Sequence, residues 1–84
     1  MIYTIFFSIE FEKAMKKLKK KYKVLFEQIQ KKLIELVENP EHFKPLRNVL
    51  AGYRRIHFGS FVLIYSLDDD RINIISLDHH DKAY

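Results

Sequence analysis

Two stretches in the first half of the chain place apolar residues at helical spacing. The first comprises Phe11, Ala14, Met15, Leu18 and Tyr22, and the second comprises Leu25, Phe26, Ile29, Leu33, Leu36 and Val37. An apolar residue every three or four positions forms one face of an amphipathic helix. Ser8 is suited to cap the first helix, and Asn39-Pro40 ends the second because proline cannot continue a helix. The segment 20–23 contains no Gly or Pro, which also allows one long bent helix. Two antiparallel helices return the chain to its remaining elements, and they are our prediction.

The other apolar stretches have the composition or the alternation of β-strands. Ile2–Phe7 is rich in β-branched and aromatic residues, which favours a strand. Tyr53–Phe58 alternates between apolar and polar positions and is followed by Gly59-Ser60 and a second apolar stretch, Phe61–Tyr65. Gly59 can adopt the positive φ of a type II′ hairpin turn, so the sequence predicts a β-hairpin here. Arg71–Leu77 alternates as well and predicts the last strand.

The predicted hairpin has two chemically different faces. Its turn places Phe58 opposite Phe61 and His57 opposite Val62. One face then carries the bulky apolar residues Ile56, Phe58, Phe61, Leu63 and Tyr65, together with Arg54. The other face carries Tyr53, Arg55 and His57, which are suited to stacking on bases and to holding phosphates.

These elements predict a single α+β domain over residues 1–84, with the order β-α-α-β-β-β. The last three strands follow one another closely, so we expect a small, mostly antiparallel sheet with the two helices packed on one face. The apolar hairpin face would lie under the helices. The face with Tyr53, Arg55 and His57 would remain open.

Composition limits the classes of protein that need to be considered. The chain has no cysteine, which excludes disulfides and thiolate metal sites, and no metal site or cofactor is predicted. It has no signal-peptide pattern and no apolar run long enough for a membrane span, so we expect a soluble, cytoplasmic protein. The net charge is +4, and seven lysines lie between Lys13 and Lys23. They form either the solvated side of an amphipathic helix or an electrostatic surface for RNA or an acidic partner.

Three segments, in this order, resemble the RelE/ParE superfamily of toxins from type II toxin–antitoxin pairs. They are FEKAMKKL at Phe11–Leu18, PLR…LAGYRRIHFGSFVLIY at Pro45–Tyr65 and DHHDKAY at Asp78–Tyr84. The resemblance covers nearly the whole chain. The RelE branch resembles an mRNA interferase that cuts messenger RNA in the ribosomal A site, whereas the ParE branch poisons DNA gyrase and is not a nuclease.

The resemblance implies a set of catalytic positions. Arg55 and His57 match two alternate basic positions of the RelE-type second strand, and His80 and Tyr84 match a late basic residue and a terminal tyrosine. RelE-type toxins usually have an arginine where this chain has Val62. The RNA-binding candidates are Arg47, Tyr53, Arg54 and Lys82.

Metal-independent RNA cleavage uses the 2′-hydroxyl of the substrate as nucleophile. It needs a base, positive charge for the developing phosphorane and an acid for the leaving oxygen. The guanidinium of Arg55 suits the charge role. His57 or His80 could move protons near neutral pH, and Tyr84 could stack on a base.

The resemblance also implies partners. We expect a tight complex with a RelB-like antitoxin, which can reach a heterotetramer, and contact with the ribosome and mRNA but not with a membrane. Because of Val62, two alternatives stay open: a ParE-like protein that binds gyrase without chemistry, and a catalytically weakened RelE homologue.

Overall fold

The computed structural model describes residues 2–40, 44–45 and 52–79. Its elements are β1 (Thr4–Phe7), α1 (Ile9–Lys21), α2 (Lys23–Glu38), β2 (Lys44–Pro45), β3 (Tyr53–Phe58), β4 (Phe61–Asp68) and β5 (Arg71–His79). The predicted α+β class and the predicted order of two helices and four main strands are confirmed. The two-residue strand β2 is an addition, because no strand is predicted between the second helix and Tyr53.

All strands belong to one sheet with the order β1-β5-β4-β3-β2. The first strand runs parallel to β5, and every other pair is antiparallel, so the sheet is mixed but mostly antiparallel. The predicted hairpin register is confirmed, since Phe58 pairs with Phe61 and His57 with Val62. Gly59 has a φ of 58°, as the predicted turn requires.

The start of α1 at Ser8 and the end of α2 at Asn39 are where the sequence predicts them, whereas no described side chain caps the start of α2. The Ser8 hydroxyl accepts a hydrogen bond of 3.0 Å from the backbone N–H of Phe11 and so caps α1. Tyr22 leaves the helical region with φ −133° and ψ 67°, and it separates α1 from α2. The prediction of two helices rather than one bent helix is therefore confirmed. Within the described ranges, neither helix is long and apolar enough to cross a membrane.

The helices cover one face of the sheet, which we call the helix face. The main core contains Phe11 and Leu18 of α1, Ile29 and Leu36 of α2, and Ile56, Phe58, Leu63, Tyr65, Ile72, Ile74 and Leu77 of the sheet. The predicted burial of Ile56, Phe58 and Leu63 is thus confirmed. Phe26 is partly buried against the same core.

Tyr65, in the middle strand β4, is hydrogen-bonded to the segment that follows α2. Its side chain is fully buried, and its hydroxyl donates a 2.5 Å hydrogen bond to the carbonyl of the buried Pro40. Burial raises the pKa of Tyr65 to about 12, although the positive charge of Arg54 acts in the opposite direction. This hydrogen bond holds Pro40, two residues after the end of α2, against β4.

A β-bulge in β5 changes which of its side chains face the helices. Tyr65 pairs with Ile74, whereas the preceding Ile64 pairs with Ser76, so Ile75 is an extra residue. Beyond the bulge Leu77 lies opposite Leu63 on the helix face. The carbonyl of Ile75 accepts a 2.6 Å hydrogen bond from the Ser8 hydroxyl, so the α1 cap also holds the bulge.

Candidate active site

The candidate site lies on the sheet face turned away from the helices, which we call the second face. Side chains of directly opposite residues share a face, so the register places two rows of residues there. One row is His57, Val62 and Asp78, and the next is Arg55, Ile64 and Ser76. Polar residues of β3 and β5 therefore flank an apolar pair in the central strand β4.

Arg55 and His57 are next to each other on this face, two positions apart along β3. His57 is exposed, and Arg55 is half-buried with its Nε atom buried. Tyr53 follows in the same line and is also half-buried. The structure therefore places three predicted site residues in one line along β3: a half-buried guanidinium, a solvent-exposed imidazole and a half-buried aromatic ring.

The second face was predicted to be exposed to solvent, and this prediction is wrong for its central residues, Val62 and Ile64. Val62 is 0% exposed and Ile64 is 6% exposed. Both belong to the middle strand of the sheet, where neighbouring strands flank them on each side. Val62, at the position where RelE-type toxins carry an arginine, is thus a fully buried apolar residue between His57 and Asp78.

Arg54 does not share this face. It lies opposite Tyr65 on the helix face, as strand alternation from Arg55 requires. Its charge acts on the pKa of Tyr65. Arg54 and Arg55 thus point to opposite sides of the sheet, and the predicted RNA-binding role of Arg54 stays a prediction.

The remaining predicted site residues lie outside the described residues. These are His80 and Tyr84 among the catalytic candidates, and Arg47 and Lys82 among the RNA-binding candidates. Their roles stay predictions.

The register brings residues into these rows that the sequence did not predict for the site. Asp78 and Ser76 reach the second face because of the bulge at Ile75, which the alternation of RINIISL does not reveal. Lys44 pairs with Arg55 through β2. Proline at position 45 is typical of an edge strand and is the sequence signal for β2.

The sequence of this chain is similar to those of known proteins. The sequence profile of the family described as ParE toxin of type II toxin–antitoxin system, parDE, matches residues 5–84. The RelE4 protein of Methanocaldococcus jannaschii is 38% identical over 76 residues, which are 87% of this chain and 81% of that protein.

Two solved structures extend the likeness to the full fold. A chain of the RelBE2 toxin–antitoxin complex from Mycobacterium tuberculosis is 26% identical, with a TM-score of 0.78 over 94% of this chain and 99% of that one. A chain of the DinJ–YafQ complex from E. coli is 26% identical, with a TM-score of 0.73 over 98% of each chain. Sequence and fold agree, and this chain belongs to the RelE/ParE superfamily of toxins from type II toxin–antitoxin systems.

Proposed function

We propose that this toxin is a RelE-like, ribosome-dependent endoribonuclease that cleaves mRNA and so arrests translation. The observation that carries the proposal is the position of Arg55 and His57 side by side on the second face, with His57 exposed. Cleavage by the 2′-hydroxyl of RNA needs a phosphate-binding cation, a base and an acid, and these two residues can supply the cation and one of the two proton-transferring groups. The similarity of this chain to RelE4 and to a chain of the RelBE2 complex supports a RelE-type function.

Arg55 holds the scissile phosphate in this mechanism. Its planar fork can donate two hydrogen bonds to phosphate oxygens, and its partly buried position limits the motion of the side chain. One of the two histidines, His57 and His80, takes the proton from the 2′-hydroxyl, and the other gives a proton to the leaving 5′-oxygen. Tyr84 stacks on the base beside the cleaved bond. The substrate supplies its own nucleophile, so no metal ion enters the reaction.

Val62 determines how much the toxin depends on the ribosome. An apolar, fully buried residue between His57 and Asp78 cannot provide the second phosphate clamp that an arginine would. Positioning of the mRNA therefore falls to the ribosome, which holds the substrate in a fixed geometry. We expect free RNA to be cut poorly or not at all.

A cognate antitoxin holds the toxin inactive in this proposal. The RelBE2 relative is a toxin–antitoxin complex. The net charge of +4 suits an acidic partner. Cytoplasmic action follows from the proposed substrate, because translating ribosomes are found there.

The test compares Arg55→Ala with Arg71→Ala. Arg71 is an exposed arginine at the start of β5, beside the Phe6 ring and away from the Arg55 row. Each variant is induced briefly in cells, growth is followed, and mRNA ends are mapped by primer extension. We expect Arg55→Ala to relieve growth arrest and to reduce A-site cleavage by roughly 100-fold or more, the usual effect of losing a group that stabilises charge in the transition state. Arg71→Ala should remain toxic.

Arg55→Lys separates chemistry from folding. It keeps the positive charge but loses the bidentate fork, so it should fold like the wild type and still cleave poorly. Thermal melting and antitoxin binding report on the fold of each variant. If Arg55→Ala folds and is as toxic as the wild type, the nuclease proposal fails. It also fails if the wild type arrests growth while mRNA stays intact and gyrase is trapped on DNA, which is the ParE-like outcome.

A further inference from the structure

A cavity of about 350 Å³ lies where β1 ends beside β5, apart from the Arg55 row. The residues that line it include Phe6, Glu10, Asn73 and Ile75. We call this the β1–β5 cavity. It combines an aromatic ring and an aliphatic side chain with one amide and one carboxylate, so it offers stacking surface together with hydrogen-bonding groups.

The register connects this cavity to the second face. A row of paired residues crosses the sheet there and runs through Tyr53, Ser66, Asn73 and Phe6. It is the row next to Arg55, because Tyr53 lies two positions before Arg55 in β3. The cavity and the proposed cleavage site therefore belong to one continuous surface.

Strand geometry gives the distance between the cavity and the cleavage site. Neighbouring strands lie about 4.8 Å apart, and alternate residues of one strand are about 6.7 Å apart. Asn73 is two strands away from Arg55 and one row along, which separates the two residues by roughly 12 Å. A stacked nucleic-acid strand rises about 3.4 Å per nucleotide. A base roughly two to four nucleotides from the phosphate held by Arg55 can therefore reach the cavity.

The groups in the cavity suit a base and not a phosphate. Phe6 is 46% exposed, so its ring is accessible for stacking. The side-chain amide of Asn73 donates a 3.3 Å hydrogen bond to the hydroxyl of Ser66, which orients the amide. An asparagine amide has a second N–H and an oxygen, which can bond to the edge of a base. The carboxylate of Glu10 repels phosphate but can accept a hydrogen bond from an amino group.

These groups favour a base that carries an amino group. An asparagine amide matches adenine, because its oxygen accepts from the N6 amino group and its N–H donates to a ring nitrogen. Glu10 adds a second acceptor to the cavity. Uracil has two carbonyl oxygens and no amino group, so it leaves these acceptors poorly satisfied.

We propose that the β1–β5 cavity binds one base of the mRNA, roughly two to four nucleotides from the cleaved bond, and makes cleavage depend on the identity of that base. Phe6 stacks on the base, Asn73 bonds to its edge, and Glu10 favours bases with an amino group. This inference rests on the mRNA substrate of the proposed function.

The first test maps mRNA ends across all transcripts after brief induction of each toxin variant. For the wild type we expect adenine to be favoured over uracil at one fixed position near the cut, by about fivefold or more. Asn73→Ala should remove most of that preference. Thermal melting shows whether the variant is folded.

Phe6→Ala tests the stacking, and Tyr22→Ala is its matched control. Tyr22 is an aromatic residue, 57% exposed, at the junction of the two helices and away from the second face. We expect Phe6→Ala to reduce cleavage by about fivefold or more, and Tyr22→Ala to leave it unchanged. Phe6→Trp keeps a stacking ring and should retain cleavage, whereas Phe6→Leu keeps only apolar bulk and should not.

Binding of uncleavable RNA separates base recognition from nuclease activity. The toxin is co-expressed with the antitoxin of its own operon, separated from it, and titrated with short 2′-O-methyl oligonucleotides of adenine or of uracil. Methylation blocks the nucleophile, so these probes report on binding alone. We expect the adenine probe to shift the NMR signals of the Phe6 ring and the Asn73 amide, and the uracil probe to bind about fivefold or more weakly. This difference should vanish in Asn73→Ala.

The proposal is wrong if the wild type and Asn73→Ala share one base preference, or if Phe6→Ala cleaves and binds RNA like the wild type. A loss of antitoxin affinity in Phe6→Ala with unchanged cut sites would assign the cavity to the antitoxin instead. If the wild-type toxin cuts no mRNA but its preference for the adenine probe depends on Asn73, the nuclease proposal falls and the base-binding proposal stands.

Discussion

Replacing Tyr65 by phenylalanine removes one oxygen atom from the centre of the molecule. That oxygen donates the 2.5 Å hydrogen bond to the carbonyl of Pro40, and both residues are fully buried. A typical hydrogen bond contributes about 1 kcal/mol to stability, and a buried carbonyl that loses its partner costs about 1–3 kcal/mol. We therefore expect Tyr65→Phe to lower the free energy of unfolding at pH 7 by about 1–3 kcal/mol. A domain of this size, with about 4–13 kcal/mol in total, should tolerate that loss.

The pH dependence gives a sharper test of the same contact. Burial raises the pKa of Tyr65 from 10.0 to about 12 in the folded protein. Above pH 10 the unfolded chain releases this proton while the folded chain keeps it, so stability falls as pH rises. Two pKa units correspond to about 3 kcal/mol, lost between pH 10 and pH 12 and fully present below pH 10. Phenylalanine has no proton to release, so the stability advantage of the wild type over Tyr65→Phe should disappear by about pH 12.

The measurement is urea unfolding of both proteins at intervals from pH 7 to pH 12. The difference between them cancels the titration of the lysines and the other tyrosines. Tyr22→Phe is the control, because Tyr22 is 57% exposed and its replacement should change the free energy of unfolding little. Parallel curves for wild type and Tyr65→Phe up to pH 12 would refute the reasoning, because the hydroxyl would then not be held protonated by burial.

Two further predictions concern the packing and the α1 cap. Phe58→Ala should lower the free energy of unfolding by roughly 3–5 kcal/mol, because Phe58 is 8% exposed in the main core, whereas Ile34→Ala, at a position 65% exposed, should change it by less than about 0.5 kcal/mol. An unchanged urea midpoint for Phe58→Ala would contradict the face assignment. Ser8→Ala should cost about 1–2 kcal/mol or more, since the hydroxyl both caps α1 and bonds to Ile75, while Ser8→Thr keeps the hydroxyl and should recover most of the loss in thermal melts. Equal melting temperatures for Ser8→Ala and Ser8→Thr would show that these bonds do not stabilise the fold.

The sequence predicts most of the fold because its apolar residues follow a single period in each main element. The hairpin is an example: the alternation from Tyr53 and the glycine at position 59 suffice to place His57 opposite Val62. The parallel pairing of β1 with β5 follows from no local pattern, since it joins the two ends of the chain.

The site is less predictable than the fold for two physical reasons. A bulge has no sequence signature in RINIISL, yet it decides that Asp78 rather than Leu77 lies beside Val62. Burial of Val62 and Ile64 depends on the residues that surround the central strand. The apolar–polar pattern of that strand does not reveal its neighbours. Arg47, His80, Lys82 and Tyr84 lie outside the described residues, so their part in the site stays a prediction.

The bond between Ser8 and Ile75 has a consequence for the order in which this toxin folds. The two residues are 67 positions apart, whereas the β3–β4 hairpin closes over a two-residue turn. Closing the longer loop costs about 3 kcal/mol more in chain entropy, so the hairpin should form early and the docking of the N-terminal segment late. On a ribosome, β1 and α1 emerge first but must wait for the last strand to be synthesised. An incomplete chain would therefore lack β5, the strand that joins β1 to β4, and it should reach the complete fold only after synthesis of β5 is finished.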